Sequence, residues 1–340
     1  MLYAFTALRF LQSYHLTVLP SYGITILRYY NLTVLYIKTA YMKKLGKRIL
    51  LLTASLCTLF MLQNSAQPQK GKIKLLIIDG QNNHGNWPQT TQMMKGYLEE
   101  TGLFAVDIAT TPPEGKHMEG FKPAFSNYKV VLLNYNGDAW PQETNDAFEA
   151  FVTNGGGVVS VHAADNAFPE WPEFNKMIGL GGWGNRSEKD GPYVYYDEAG
   201  KQVKDERPGV GGSHGKFHAF KIVTRNKKHP ITKGLPEVWM HSKDELYDRL
   251  RGPAENMEVL ATAYSATDQN GTGRNEPIMM VIHYGKGKIF HTTLGHANES
   301  QQCVGFIAYL QRGAEWVATG KVTQKLPDDF PGPDKVSIRH

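Results

Sequence analysis

The sequence predicts an α/β protein with a doubly wound, mostly parallel sheet flanked by helices, and three observations predict it. Short, continuous apolar runs recur between residues 72 and 320, each closed by turn-rich sequence, as strands buried on both faces require. Segments of helical spacing alternate with them, which lays helices over both faces of one sheet. The second half then loosens into long loops rich in Gly and Trp, a place for function rather than for core.

Each element follows in order. Lys74-Leu75-Leu76-Ile77-Ile78-Asp79 is the first strand, and Pro88 opens a helix to Thr101 with Met93, Met94, Tyr97 and Leu98 on its apolar stripe. A short strand at Phe104–Ala109, a strand at Tyr128–Leu133, a helix at Glu143–Val152 and a strand at Gly157–Val161 repeat the unit. Beyond residue 168 the runs Gly179–Gly184 and Gly209–Gly212 bracket a charged stretch. Order returns with strands at Phe217–Thr224, Val259–Tyr264, Ile278–His283 and Lys288–Thr293, then a helix at Gln301–Thr319. The tail 327–340, with Pro327, Pro331 and Pro333, reads as a flexible end, and no internal repeat is visible.

The first acidic residue is Asp79. Met42 opens a basic stretch, Lys43 to Arg48, followed by an apolar run from Ile49 to Leu62 and the small-residue cleavage site Gln63-Asn64-Ser65-Ala66. These are the three regions of a secretory signal, so residues 42–66 are expected to be removed and residues 1–41 to be an over-extended start. A membrane anchor is the alternative, but a run of fourteen residues falls short of the ~20 that a spanning helix needs, and no stable membrane insertion is expected after cleavage. Lipidation at Cys57 is disfavoured because Leu56, not a small residue, precedes it. The expected location is periplasmic or secreted. Removal of 1–66, with seven Lys or Arg and no acid, turns a formal +5 into −2, which leaves no basic excess to seek nucleic acid. The 274 residues 67–340 suffice for one domain, expected at 67–326. Cys303 alone remains among the cysteines; its spacing with Phe306, Ile307, Leu310, Ala314 and Val317 places it on a buried helical stripe rather than at a nucleophile position.

Several blocks in a fixed order resemble the ThuA-like (trehalose-utilisation) family of the class I glutamine-amidotransferase-like fold. They are the strand Lys74–Asp79 with His84 beyond it, Gly155–His162, His229-Pro230-Ile231-Thr232, Asp244-Glu245-Leu246-Tyr247, Tyr284–His296 and Gly313-Ala314-Glu315-Trp316. The resemblance implies a flavodoxin-like sheet and a link to disaccharide or glycoside catabolism. Glutamine amidotransferases of this fold carry a Cys at a sharp strand-to-helix turn. Here His162 stands at that turn, and imidazole does not replace a thiolate as acyl acceptor there, which argues against glutaminase and protease activity.

Ligands of open α/β sheets bind beyond the carboxyl ends of the strands. His84, Asn136 with Asp138, His162 with Asp165, and His296 with Asn298 all follow such ends. His162, Asp165, His296 and His84 are therefore the catalytic candidates, with His162 as base, Asp165 or Asp138 assisting, and His296 or His84 as proton donor. Trp87, Trp140 and Trp183 are candidate faces for a sugar ring, although each alone is as readily a core residue. Asp244 and Glu245 are adjacent and point to opposite faces, so a single one, Glu245, is assigned to the site. The sequence demands no cofactor; a divalent metal is the minority reading, through His214 and His218, which on one strand would stand ~13 Å apart at ~3.3 Å per residue. The expected partner is a small carbohydrate. Two functions remain open, an acid–base enzyme on a glycoside or disaccharide, including one oxidised to a 3-ketone, and a sugar- or glycan-binding module without chemistry.

Overall fold

The structure, a computed structural model, describes residues 71–339 and, ahead of them, Met42. The chain divides into Met1–Gly71 and Lys72–His340, and the account that follows is of the second unit. The expected signal peptide, its cleavage at Ala66 and Cys57 lie outside the described residues. Among the described residues no helix is long and apolar enough to cross a membrane.

The elements run β1 (Ile73–Asp79), α1 (Trp87–Glu99), β2 (Phe104–Thr110), β3 (Val130–Leu133), α2 (Gln142–Thr153), β4 (Gly157–Val161) and α3 (Pro172–Ile178). There follow β5 (Tyr193–Tyr196), β6 (Gln202–Asp205), β7 (Ser213–His214), β8 (His218–Thr224), β9 (Val238–Asp244), β10 (Tyr247–Asp248), β11 (Met257–Tyr264), β12 (Asn275–Tyr284), β13 (Gly287–Thr292), α4 (Asn298–Gln302) and α5 (Val304–Thr319). The main sheet has the order β2-β1-β3-β4-β13-β12-β11-β8-β9. Its first five strands are parallel, and β12, β11, β8 and β9 add antiparallel pairs. The expected mixed α/β sheet is present, with a larger antiparallel half than alternation alone suggests.

Strand β1 shows why the runs are continuous. Leu75 and Ile77 enter the core beneath α1 and α5, whereas Leu76 and Ile78 enter the opposite core with Phe148 and Val152 of α2 and Phe174 and Ile178 of α3. Successive side chains of a strand face opposite ways, so a sheet covered on both faces favours apolar residues along the covered stretch of each strand. Gly305 of α5 lets Trp239 of β9 lie against the helix backbone; an added Cβ would stand 2.2 Å from the indole ring.

Two expectations are corrected. The single helix Gln301–Thr319 is broken at Cys303, which is extended (φ −60°, ψ 125°). The reason lies in the second correction, since the tail is not a flexible end. Cys303 bridges to Ile338, the amide of Val304 donates to Ser337 and that of Arg339 to Gln302, while Phe330 packs on Trp239. Tail backbone therefore takes hydrogen bonds that helix continuation would have used. Cys303 is fully buried as expected, but at a junction rather than on a helical stripe.

Candidate functional site

Histidines from three parallel strand ends meet at the carboxyl edge of the sheet. His84 lies in the turn between β1 and α1, His162 immediately follows β4, and His296 follows β13. Ring centroids of His84 stand 4.8 Å from His162 and 4.5 Å from His296, and those of His162 and His296 are 5.6 Å apart. They adjoin a crevice of about 630 Å³, in the usual range for small-molecule sites, lined also by Glu245, Tyr247, Trp183 and His214.

His162 occupies the sharp turn at φ +48°, a left-handed conformation that a non-glycine residue adopts at a cost of about 1–3 kcal/mol. Its Nδ1 donates to the carbonyl oxygen of Thr293 at 2.7 Å, so Nε2 is the bare nitrogen. That Nε2 is buried, accepts no hydrogen bond among the described residues, and lies 4.0 Å from Glu245. Burial depresses the imidazole pKa to about 3, despite the opposing charge of Asp244. His84 is depressed to about 4 by burial and by the neighbouring His296, and its Nε2 stands 3.3 Å from the Tyr247 hydroxyl. Both rings are therefore neutral near pH 7.

Glu245 faces the three rings from beyond the end of β9. Its Oε1 is 3.4 Å from His296 Nε2 and 3.8 Å from His214 Nε2, and its Oε2 is the oxygen nearest His162. In pairing order β9 lies at the far edge of the sheet, yet Asp244 ties it back to the segment after β13. Asp244 accepts from the amides of Gly295 at 2.8 Å and His296 at 3.1 Å, from its neighbour Glu245 at 2.9 Å, and from His241 Nε2 at 2.8 Å. Gly295 adopts φ +118°, which directs its amide at this carboxylate and which a side chain would disfavour. Asn86 closes the other side, donating to the carbonyl of His296 and to Asn298 Oδ1.

The other expected residues divide. Trp183 lines the crevice and meets Tyr247 edge to face at 4.7 Å. Asn136 lines it too, whereas Trp87, at the start of α1, lines adjoining clefts instead. Asp165 does not assist His162; it is fully buried against His291, 3.2 Å away, and burial raises its pKa. Asp138 turns into a neighbouring cleft, where it accepts from the amide of Gly115. Trp140 is a core residue among Phe121, Phe148 and Phe168. The pairing of His214 with His218 fails as well: His218 starts β8 and bonds the carbonyl of Lys216, whereas His214, on the two-residue strand β7 paired with β10, reaches the crevice. A different triplet has metal-ligand proximity, His84, His162 and Glu245, with one donor atom of each within 4.8 Å of the others. Tyr247 and Asn86 were not singled out from the sequence. Tyr247 had a legible signal, because it lies two residues from Glu245 and in extended chain shares its face.

This mixed α/β fold is that of a ThuA-like protein. The chain belongs to the ThuA family: the family model for ThuA, described as trehalose utilisation, matches residues 74–317. A crystal structure of a ThuA-like protein from Parabacteroides merdae is 54% identical, with TM-score 0.77, covering 79% of this chain and 98% of that one. A second ThuA-like protein, from Bacteroides uniformis, shares the fold at 20% identity and TM-score 0.50, covering 76% and 96% of the two chains. No curated protein matches the chain.

Proposed function

We propose that this ThuA-family chain is an exported enzyme of carbohydrate use that abstracts a proton from a glycoside or disaccharide carrying a ring ketone at C3. The observation that supports this most is the pairing of His296 with Glu245 at 3.4 Å in the lining of the crevice, a base with a carboxylate to hold the resulting cation. A ketone at C3 acidifies the C2 proton. His296 takes that proton, the C2–H electrons pass through the enolate into a C1=C2 double bond, and the C1–O bond breaks as the leaving oxygen is protonated. Return of the proton to C3 of the enediolate, with loss of the C2 hydroxyl proton, instead moves the ketone to C2. Relative to the sequence-based assignment, Glu245 replaces Asp165 and Asp138, and His296 replaces His162, whose bare nitrogen is buried. Trp183 and Tyr247 offer the sugar an apolar wall.

The test incubates the protein with 3-keto and ordinary disaccharides in D₂O and follows deuterium at C2 and release of the aglycone by NMR. The expected outcome is exchange with the keto sugar, lowered about 10²–10⁴-fold in His296→Ala with binding retained. Binding of these sugars without exchange or turnover would put the binding-module reading first.

A further inference from the structure

We infer that His84, His162 and Glu245 form a binding site for one divalent first-row transition-metal ion. The inference stands on the donor atoms and does not depend on which substrate occupies the crevice.

Three observations carry it. The three side chains already bring one donor atom each within 4.8 Å of one another, and a metal with bonds of about 2.1 Å holds its ligand atoms about 3.4 Å apart, so a small inward movement completes the shell. The buried Nε2 of His162 has no hydrogen-bond partner among the described residues, while its other nitrogen is fixed on the Thr293 carbonyl. Metal-bound imidazoles have this arrangement, because the second N–H bonded to a carbonyl sets the tautomer and aims the lone pair. Glu245 supplies the third observation. Its side chain is 16% exposed and its carboxylate accepts no hydrogen bond among the described residues, since the nearest ring nitrogens, on His296, His214 and His162, stand at 3.4, 3.8 and 4.0 Å. A largely buried carboxylate with no hydrogen-bond donor of its own, facing several imidazole nitrogens, has its oxygens free to ligate.

Two imidazoles and one carboxylate are a donor set for zinc and for other first-row divalent ions, and three protein ligands leave a position open, as catalytic rather than structural sites do. Glu245 serves both roles without conflict, through Oε2 on the side of His162 and through Oε1 on the side of His296. Under the carbohydrate reading, on which this last step rests, an ion with its open position toward the crevice polarises the C3 carbonyl and stabilises the enolate.

The experiment strips the full chain with chelator and titrates it with Zn²⁺ and with Mn²⁺ by calorimetry, with thermal unfolding followed in parallel. One ion per chain and a raised unfolding temperature are expected. Glu245→Gln and His84→Gln should each weaken binding by about 100-fold or more, because loss even of groups that merely orient a ligand costs 10–100-fold, while His218→Ala leaves it unchanged. A Co²⁺-loaded protein should show visible absorption bands that His162→Gln alters. Absence of saturable binding at one ion per chain, or equal affinity in Glu245→Gln with the fold intact, overturns the inference. Metal binding without sugar turnover sinks only the catalytic reading, and turnover by the stripped protein removes only the ion's part in catalysis.

Discussion

Two sets of histidines and carboxylates lie a few residues apart in this molecule, and they are built differently. Behind the crevice, His291 pairs with Asp165 and His241 with Asp244, all four side chains fully buried. At the crevice, His84, His162, His296 and Glu245 approach one another without a single short hydrogen bond between imidazole and carboxylate. Each inner pair is closed by a direct imidazole–carboxylate contact, although Asp165 Oδ1 and His241 Nδ1 keep no partner among the described residues; the outer cluster has no such short contact and borders the crevice. Residue type is the same in both places, so partner count and access, not chemistry alone, separate a structural imidazole from a site imidazole.

The largest expected break in this contrast is Asp244→Ala. It removes four hydrogen bonds and leaves His241 buried beside Cys303 without its carboxylate, so a loss of about 3–5 kcal/mol is expected in denaturant unfolding, together with loss of activity as the His296 loop is released. Glu245→Gln, one residue away, should cost less than about 1 kcal/mol, since its carboxylate holds no hydrogen bond to lose. Equal destabilisation by the two variants would erase the distinction.

Asp165→Asn comes next. It should lower stability by about 1–3 kcal/mol through its contact with His291 and leave the crevice chemistry little changed. A collapse of turnover at unchanged stability would restore the catalytic role that the sequence suggested and the structure withdraws.

The pH dependence of stability sharpens the comparison. His84, at about 4, refuses a proton that the unfolded chain binds below about 6.5, so its contribution is present above that value and is lost as pH falls from about 6.5 toward 4. The inner network behaves otherwise. Burial lowers His241, but Cys303 and Asp244 outweigh it and raise the imidazole to about 9; burial raises Cys303, but His241 outweighs it and brings the thiol to about 7. Between about 7 and 9 the folded state keeps one extra proton on the imidazole and lacks one on the thiol, so the two effects cancel. Urea unfolding of the metal-free protein across pH 4–9 should show a falling acid limb and a flat alkaline one, and His84→Gln should make the acid limb shallower, with His162, depressed to about 3, supplying the rest. An alkaline limb as steep as the acid one would contradict the cancellation.

The smallest expected effect is at Cys303 itself. Its thiol is acidic but fully buried, so an alkylating reagent should label it slowly in the folded protein and rapidly after unfolding. Rapid labelling of the native state would show that the docked tail opens readily.

Much of this was settled by the sequence. Continuous apolar runs such as Lys74–Asp79 and Gly157–Val161 demand a sheet covered on both faces, and parallel strands put their carboxyl ends on one edge, so His84, His162 and His296 had to converge. What followed from the local alternation of strand and helix was legible; what depended on long-range return of the chain was not. Glu245 was placed by face, but its approach to His162 required β9, four pairings away from β13, to curl back and be tied through Asp244 to Gly295 and His296. The inner role of Asp165 depended on His291, 126 residues further on, and the core place of Trp140 on aromatic residues from three other segments. The docking of the tail on Cys303 and Trp239 was hidden because a proline-rich end carries no periodicity, and its partners are backbone groups, whose availability only the folded chain reveals.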